Sequence, residues 1–562
     1  MKNFKPQKMV GWFDVGQLAG TAVRSILSSI FGTRADKRET FAALTPCETY
    51  STNAEENEVW LDYISDSGDG FDPTYSMMRL ISEEKIAVHH NGENKNLKRG
   101  KIVVFGGDQV YPAPTMEEYE NRFIGPLENA SQQVNQSRAT DLYAIPGNHD
   151  WYDGLYNFVE IFCRKKAIGG YQTLQNRSYF AIQLTTNTWL WGLDFQLQST
   201  IDENQFLYFD GVAKEKMKKG DNVILCTPEP SWIYNGKTPE KYHSLETFEL
   251  KCIVDNGLTQ KLTLTGDLHH YSRYSQVVNG KEIKHKITAG GGGAFLHPTH
   301  NLPNHLTNMH DGDFDLKETF PKVKTSRKLA FLNLLFPFKN LGFGLFLSTI
   351  HLIMAYSLFI TSFGDDRPGT IFNELQSTSD IFDKEIVLHM LTCFMLNPIC
   401  ILILFIFIFG FYKFCDSKSS KYKVVSLFGL VHGIGHVILM LSSLSFFSYF
   451  SYGVLKIPDG PWNALSISIM VFIAGGILSG VLVGVYLLIS NLLFGMHDDE
   501  AFSSLRIIHY KNFVRIHIKD NKLTAYPIGI KKTPKWSKFG NIFKTKDDIK
   551  PELIDLPIVI DL

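Results

Sequence analysis

The chain has 562 residues, with 56 Lys and Arg set against 57 Asp and Glu for a formal net charge of −1. That length exceeds one ordinary domain, and the balanced charge carries no electrostatic footprint for a nucleic-acid partner. Its seven cysteines are an odd number scattered without Cys-x-x-Cys spacing, which argues against a disulfide framework or a zinc knuckle and favours a reducing compartment for the soluble part.

Residues 1–11 lack the charged, then apolar, then small-residue order of a secretory signal, so no export is expected. From Trp12, the positions Val15, Leu18, Ala19, Ala22, Ile26 and Ile30 recur at helical spacing. They predict an amphipathic helix of about five turns, packed on the folded domain or lying on a membrane surface. The run from Val59 to Ser65 reads as a strand that delivers Asp66, Asp69 and Asp72 into a glycine-bearing loop. Asp66, at the strand end, is the candidate metal ligand. Asp69 and Asp72 are expected as turn or supporting groups, since a calcium loop needs further oxygen ligands at fixed offsets and a closing Glu.

Two further apolar runs end in polar clusters. Ile102-Val103-Val104-Phe105 breaks into Gly107-Asp108-Gln109-Val110-Tyr111, and Leu142 to Pro146 breaks into Gly147-Asn148-His149-Asp150. Continuous β-rich runs bounded by glycine read as interior parallel strands, and the loops after their carboxyl ends are where α/β proteins place ligands. Asp108 and the Asn148-His149-Asp150 group should therefore share one crevice. It would offer a carboxylate able to bridge two cations, an amide oxygen as a hard ligand, and a histidine for a phosphate oxygen or leaving group. Residues 113–141 predict a polar helical crossover, and 180–194 the strands of a second sheet. Val223 to Cys226 ends another strand; Cys226 is either a small buried hydrophobe or a thiolate ligand, and Glu229 is an alternative oxygen donor. Lys261 to Thr265 delivers Gly266-Asp267-Leu268-His269, where alternation puts Asp267 and His269 on one side and turns His270 away, as a supporting or surface residue. Gly290 to Gly293 make either a phosphate cradle or a tight structural turn, and precede His297 and His300 as further candidates.

In this order and spacing, Asp66-Ser67-Gly68, Gly107-Asp108 with Tyr111, Gly147-Asn148-His149-Asp150, the strand ending at Cys226, and Gly266-Asp267-Leu268-His269 resemble the motifs of the calcineurin-like metallophosphoesterase superfamily over roughly residues 55–300. Asp-x-Gly and the tyrosine of the second motif are most similar to the purple acid phosphatase branch. Cys226 and Asp267 depart from the pattern, each standing where the family has histidine. The resemblance implies a four-layer α/β/β/α sandwich and a centre of two metal ions (Fe, Mn or Zn). One ion would be held by Asp66, Asp108, Tyr111 and His269, the other by Asp108, Asn148, Asp267 and Cys226. His149 would serve as the catalytic histidine, oriented by Asp150, and the substrate would be a phosphoester. The two departures keep an alternative open, a membrane receptor whose phosphatase-like domain binds ligands without turnover.

Beyond Lys322 the composition changes. Apolar segments at roughly 341–363, 389–412, 424–448 and 464–494 each meet the ~20-residue requirement for crossing a bilayer, which predicts an all-α domain of four membrane helices. Lys322, Lys324, Arg327, Lys328 and Lys339 precede the first, and Lys413, Lys418, Lys421 and Lys423 join the second to the third. The first loop is acidic, with Asp365, Asp366, Glu374, Asp380, Asp383 and Glu385. Positive charge marks the cytoplasmic side, so both termini and the catalytic domain are expected in the cytoplasm, at the plasma (inner) membrane. His351, His389, His432 and His436 fall in these spans; the last two, four residues apart, could bind a metal or haem or simply hydrogen-bond within a bundle. After His497, the alternation of Val514, Ile516 and Ile518 against Phe513, Arg515 and His517, followed by a turn and Leu523 to Ile530, predicts a separate β-rich hairpin module. The domains expected are 1–54, 55–320, 321–496 and 497–562.

Overall fold

The computed structural model describes residues 4–562 apart from 33–37, 53–57, 91–92, 135–138, 197–199, 235–238, 362–383, 416–421 and 459. The acidic-loop residues Asp365, Asp366, Glu374, Asp380 and Asp383, and the loop lysines Lys418 and Lys421, lie outside the described residues. The chain divides into two compact units, Met1–Val10 with Gly20–Arg327 and Arg506–Leu562, and Gly11–Ala19 with Lys328–Leu505. The helix expected from Trp12 runs Val15–Gly32, with Val15, Leu18 and Val23 exposed.

Two nine-stranded sheets build the first unit. In one, the strand leading to Asp66 (Glu58–Ile64) pairs in parallel with the strand leading to Asp108 (Ile102–Phe105), which pairs in parallel with the strand leading to Asn148 (Thr140–Ala144). In the other, Thr188–Gly192, Asn222–Thr227 and Thr259–Thr265 are successive parallel neighbours. Side-chain parity makes the layers. Ile102 and Val104 enter the core between the sheets with Ile224, Leu264 and Ile287, whereas Val103 and Phe105 pack outward with Met77, Phe123 and Leu127 of the covering helices. On the other sheet Val223 and Leu225 face outward against Phe209 and Phe248. Burial on both faces is why these strands carry continuous apolar runs, and the result is the helix–sheet–sheet–helix sandwich.

The C-terminal hairpin is present but is no separate module. Lys511–Lys519 pairs antiparallel with Glu58–Ile64, from Val514 opposite Tyr63 to Lys519 opposite Glu58, and Lys522–Ile530 continues the sheet. Both hairpin faces are covered: Val514, Ile516 and Ile518 join the inter-sheet core, and Phe513 and Ile528 join the outer one. Read from alternation alone, Arg515 belongs to a solvated face. It is instead fully buried, with Nε 2.7 Å and Nη2 2.8 Å from the two carboxylate oxygens of Asp62, and Nη1 donates to the Leu97 carbonyl at 3.2 Å.

In the second unit, among the described residues, three helices are long and apolar enough to cross a membrane, Leu341–Phe359, Ser426–Val454 and Pro461–Phe494. The segment expected as one span at 389–412 is broken into Lys384–Leu396 and Pro398–Phe414, bent by 88°, and the count reaches four if this pair is one span. The break has a local cause. Pro398 has no N–H to continue the first helix, and Asn397 Oδ1 caps the second by accepting from the N–H groups of Ile399 and Cys400 at 2.9 and 3.2 Å. Close packing of Leu341–Phe359 on Pro461–Phe494 depends on glycine. A Cβ at Gly476 would come within 2.2 Å of Ser348 Oγ and 2.6 Å of the Gly344 carbonyl. Across that contact His351 Nε2 lies 2.8 Å from Ser479 Oγ, while His432 and His436 meet each other at 3.2 Å between their Nε2 atoms.

Removing one partner of the buried pair strands the other charge in the core. Arg515→Ala should therefore cost roughly 3–5 kcal/mol. Lys531→Ala, which breaks an exposed pair with Glu552, should cost under about 1 kcal/mol. Chemical denaturation of the two variants in detergent, followed by tryptophan fluorescence, measures the difference.

Candidate metal centre

The loops after the parallel strands converge at one end of the sandwich, and three carboxylates there stand in the left-handed backbone region: Asp66 (φ 58°), Asp108 (φ 48°) and Asp267 (φ 68°). Such conformations are costly for residues with a Cβ and persist where the surroundings over-determine them. Glycines allow the approach. A Cβ at Gly147 would sit 2.1 Å from Asp108 Oδ1, and one at Gly266 would sit 2.5 Å from Asp66 Oδ2.

The centre forms around the Tyr111 hydroxyl. It lies 3.1 Å from Asp66 Oδ1, 3.2 Å from Asp108 Oδ2 and 3.1 Å from His269 Nε2. Among the described residues no three His, Cys, Asp or Glu side chains form a metal-binding group by themselves; the phenol is the shared neighbour of Asp66, Asp108 and His269. His269 Nδ1 is 2.9 Å from the Phe295 carbonyl, which fixes that nitrogen as the N–H donor and leaves the Nε2 lone pair facing the carboxylates. Burial, with His297 and Lys511 nearby, holds the His269 pKa well below its ordinary value, so the ring is neutral. Asp66 is pushed well up by burial and then by Asp108 and Asp267, and burial pushes Asp108 up as well. Two buried acids that raise each other's proton affinity, joined to a phenol oxygen and a neutral imidazole, make a donor set suited to a hard or borderline cation.

His149 belongs to the same rim. Its backbone N–H donates to Asp108 Oδ1 at 2.9 Å, and its Nδ1 lies 3.1 Å from the Pro112 carbonyl. That carbonyl, not Asp150, orients the ring. Asp150 is buried beneath the loop, where Oδ2 accepts from the Gly147 and Gln109 N–H groups at 2.9 and 3.4 Å and Oδ1 accepts from the Tyr119 hydroxyl. Asp150 clamps the two motif loops together, and the expectation of a histidine–aspartate pair is corrected. Asn148 is half-buried on the same loop, beside Tyr152.

Cys226 does not reach the centre. By strand parity its side chain follows Ile224 into the core between the sheets, where it is fully buried and its thiol pKa is raised by burial. The expectation that it ligates a metal is corrected. Asp267 is at the rim, its N–H donating to Asp66 Oδ2 at 2.9 Å and its own Oδ2 accepting from the Tyr234 hydroxyl at 2.5 Å. The glycine run is packing rather than a cradle. Gly292 N–H donates to the Ser65 carbonyl and Ala294 N–H to the Asp66 carbonyl, at 2.8 and 2.9 Å, and a Cβ at Gly293 would lie 2.1 Å from the Ser67 carbonyl. His297 stacks on His269 at 3.9 Å between centroids, His270 is buried rather than on the surface, and His300 is held by Ser326 at 2.8 Å. Asp69 ties Val10 N–H and Phe295 N–H to the loop.

Two contributors carry no motif. Lys511, the first residue of the C-terminal strand, is fully buried with Nζ donating to the Ala294 carbonyl; burial lowers its pKa to about 7, against the pull of Asp69 and Asp66. Lys241, in the short helical turn Pro239–Tyr242, pairs with Glu229 at 3.1 Å.

Residues 61–271 match the sequence profile of the calcineurin-like phosphoesterase family. Comparison with curated proteins finds no match. Solved structures with partial similarity include GAP50, described as the anchor in the inner membrane complex of Plasmodium (TM-score 0.29, 11% identity, covering 46% of this chain and 78% of that one). They also include purple acid phosphatase PPD1 from yellow lupin seeds (0.28, 12%, 45% and 46%) and PhoD (0.29, 10%, 48% and 63%). The chain spans less than two thirds of the length of the last two.

Burial in the core predicts an inert thiol. Cys226→Ala should leave metal content unchanged at a cost of about 1–2 kcal/mol for the small cavity. Cys226 in the native fold should resist alkylation equally with and without chelator, as read by mass spectrometry.

Proposed function

We propose that the calcineurin-like phosphoesterase domain carried by residues 61–271 is a metal-dependent hydrolase of phosphate esters, anchored to a membrane by the apolar helices of residues 341–494. The observation that carries the reading is the convergence of Asp66, Asp108 and His269 on the Tyr111 hydroxyl within 3.1–3.2 Å. These four residues would hold the cation. When bound, it would supply Lewis-acid polarisation of the phosphoryl oxygens and a lowered pKa for a bound water.

The chain's own groups divide the remaining work. Asp66 and Asp108 would ligate as carboxylates, and a bound cation would offset the upward push of burial. His269 presents the Nε2 lone pair because its Nδ1–H donates to the Phe295 carbonyl, and His149, whose Nδ1–H donates to the Pro112 carbonyl, would give a proton or hydrogen bond from Nε2 to the phosphate or its leaving oxygen as the imidazolium. Gly147 lets the loop lie directly against Asp108, so His149 and the carboxylate move as one piece.

For the membrane part, one constraint supports an even number of crossings. Glu58–Ile64 and Lys511–Lys519 share a sheet, so whatever bilayer is crossed between them is crossed back. Four crossings, with the bent pair as one span, satisfy this and three do not. The lysines before residue 341 favour the cytoplasmic side for both termini.

Asp108→Asn should lower phosphoesterase activity more than about 100-fold, since even groups that only support metal ligands are worth 10–100-fold. A panel of aryl and alkyl phosphates with measured metal content tests it; retained turnover in the variant rejects the assignment, and bound metal without turnover in the native protein selects a ligand-binding role. Epitope tags at the two termini should be accessible from the same side and a tag near Asp380 from the other; protease protection that separates the termini refutes the topology.

A further inference from the structure

We infer that the N-terminal helix, Val15–Gly32, lies along the surface of a bilayer with its apolar half in the lipid. The inference rests on the reading of Leu341–Phe359 as a membrane span and is independent of the chemistry at the metal centre. The helix is turned the opposite way from one packed on a water-soluble domain. At about 100° per residue, Val15, Gly16, Leu18, Ala19, Ala22 and Val23 fill one half of its circumference, and all six are exposed. Leu18 is 41% and Val23 55% exposed. Gln17, Gly20, Thr21 and Arg24 fill the other half, and each is half-buried. Arg24 Nη1 is fully buried, and the guanidinium lies back along the helix over Gly20, where a Cβ would meet it at 3.7–3.9 Å. Its charge acts on the Tyr152 hydroxyl of the first unit. The polar half therefore faces protein and the apolar half faces out, whereas a helix in water buries its apolar stripe. The same apolar spacing recurs in the sequence at Ile26 and Ile30.

An apolar stripe left in water costs free energy in proportion to its area, and such a patch marks a surface that something covers. The start of the helix identifies the cover. Just before it, the Phe13 ring stands edge-on to Phe336 at 5.0 Å and to Phe343 at 5.6 Å between centroids. A Cβ at Gly342 would come within 2.6 Å of Asp14 Oδ1. Gly342 and Phe343 belong to the first turn of Leu341–Phe359, a helix long and apolar enough to cross a membrane. The first turn of a span stands at the edge of the hydrocarbon, so Phe13 and Asp14 stand at that edge too, and the exposed stripe begins with the next residue. The helix has one Arg, no Lys and no acid. Its hold on the membrane thus comes from buried apolar area and not from attraction to anionic headgroups.

The test uses the full chain in lipid nanodiscs, with Cys47→Ser to remove the exposed thiol. Single cysteines are placed by Leu18→Cys and Val23→Cys and, on the span, by Leu345→Cys, where the native side chain is 57% exposed. Each carries a nitrobenzoxadiazole label, and its fluorescence is compared in discs with and without nitroxide-bearing acyl chains. The labels of all three variants should lose at least half of their fluorescence to the nitroxide lipid, at low and high salt alike. Loss at Leu345→Cys alone overturns the inference and leaves the span intact; a disulfide between two Val23→Cys chains in that case gives the face to a second copy of the protein. Loss at Leu18→Cys and Val23→Cys that vanishes at high salt also overturns the inference, since it marks an electrostatic contact without insertion. No loss at any of the three sites overturns the reading of the span itself.

Discussion

The antiparallel pairing of Glu58–Ile64 with Lys511–Lys519 is the contact on which the rest of the first unit depends. It makes the strand that delivers Asp66 an interior strand, hydrogen-bonded on both sides, instead of a sheet edge. An exposed edge tolerates slippage, and a one-residue slip would turn the whole inward set of side chains outward. The buried Asp62–Arg515 pair fixes the register, because its two parallel hydrogen bonds form in one alignment only. The strand is thereby a rigid base for a loop that carries a carboxylate in a strained conformation.

That support extends to the centre. Lys511 begins the same C-terminal strand and reaches the Ala294 carbonyl, while Asn512 N–H donates to the Gly291 carbonyl at 3.0 Å. The glycine ribbon is in turn hydrogen-bonded to Ser65 and Asp66. One continuous set of backbone contacts therefore runs from the C-terminal strand through the ribbon to the Asp66 loop. Lys511, to the extent that a pKa of about 7 leaves it charged, attracts Asp66 and Asp69 and offsets part of the cost of gathering acids in the interior.

The apolar region interrupts this unit in sequence without interrupting it in space. Strands before residue 328 and after residue 505 complete one sheet, so the helical unit is an insertion into the chain of the two-sheet unit and not an appendage after it. An insertion carries a constraint that an appendage lacks, since both of its ends must return to the same folded body.

Much of this was legible in the residues. The strand-end clusters at Asp66, Asp108, Asn148 and His269 could be found because each follows a short β-rich run, continuously apolar before Asp108 and Asn148, and the physics that buries a parallel strand on both faces also puts its following loop at the ligand edge. The apolar helices were legible because their runs are long and apolar enough to cross a bilayer, although Asn397-Pro398 breaks one of them where hydropathy alone runs on. The positions of Cys226, Asp150, Arg515, Lys511 and Lys241 were decided by the tertiary structure alone. Cys226 sits at a motif position, but strand parity turns it into the core, and which face is core depends on a second sheet that the local run does not contain. Asp150 has a motif neighbour to orient, but Tyr119 and two backbone N–H groups reach it first. Arg515 and Lys511 lie in a strand whose alternation resembles that of any solvated hairpin. Arg515 is buried by pairing with a strand some 450 residues earlier and Lys511 lies against the distant Ala294 carbonyl, and no periodicity within a window reports a contact that only chain closure creates.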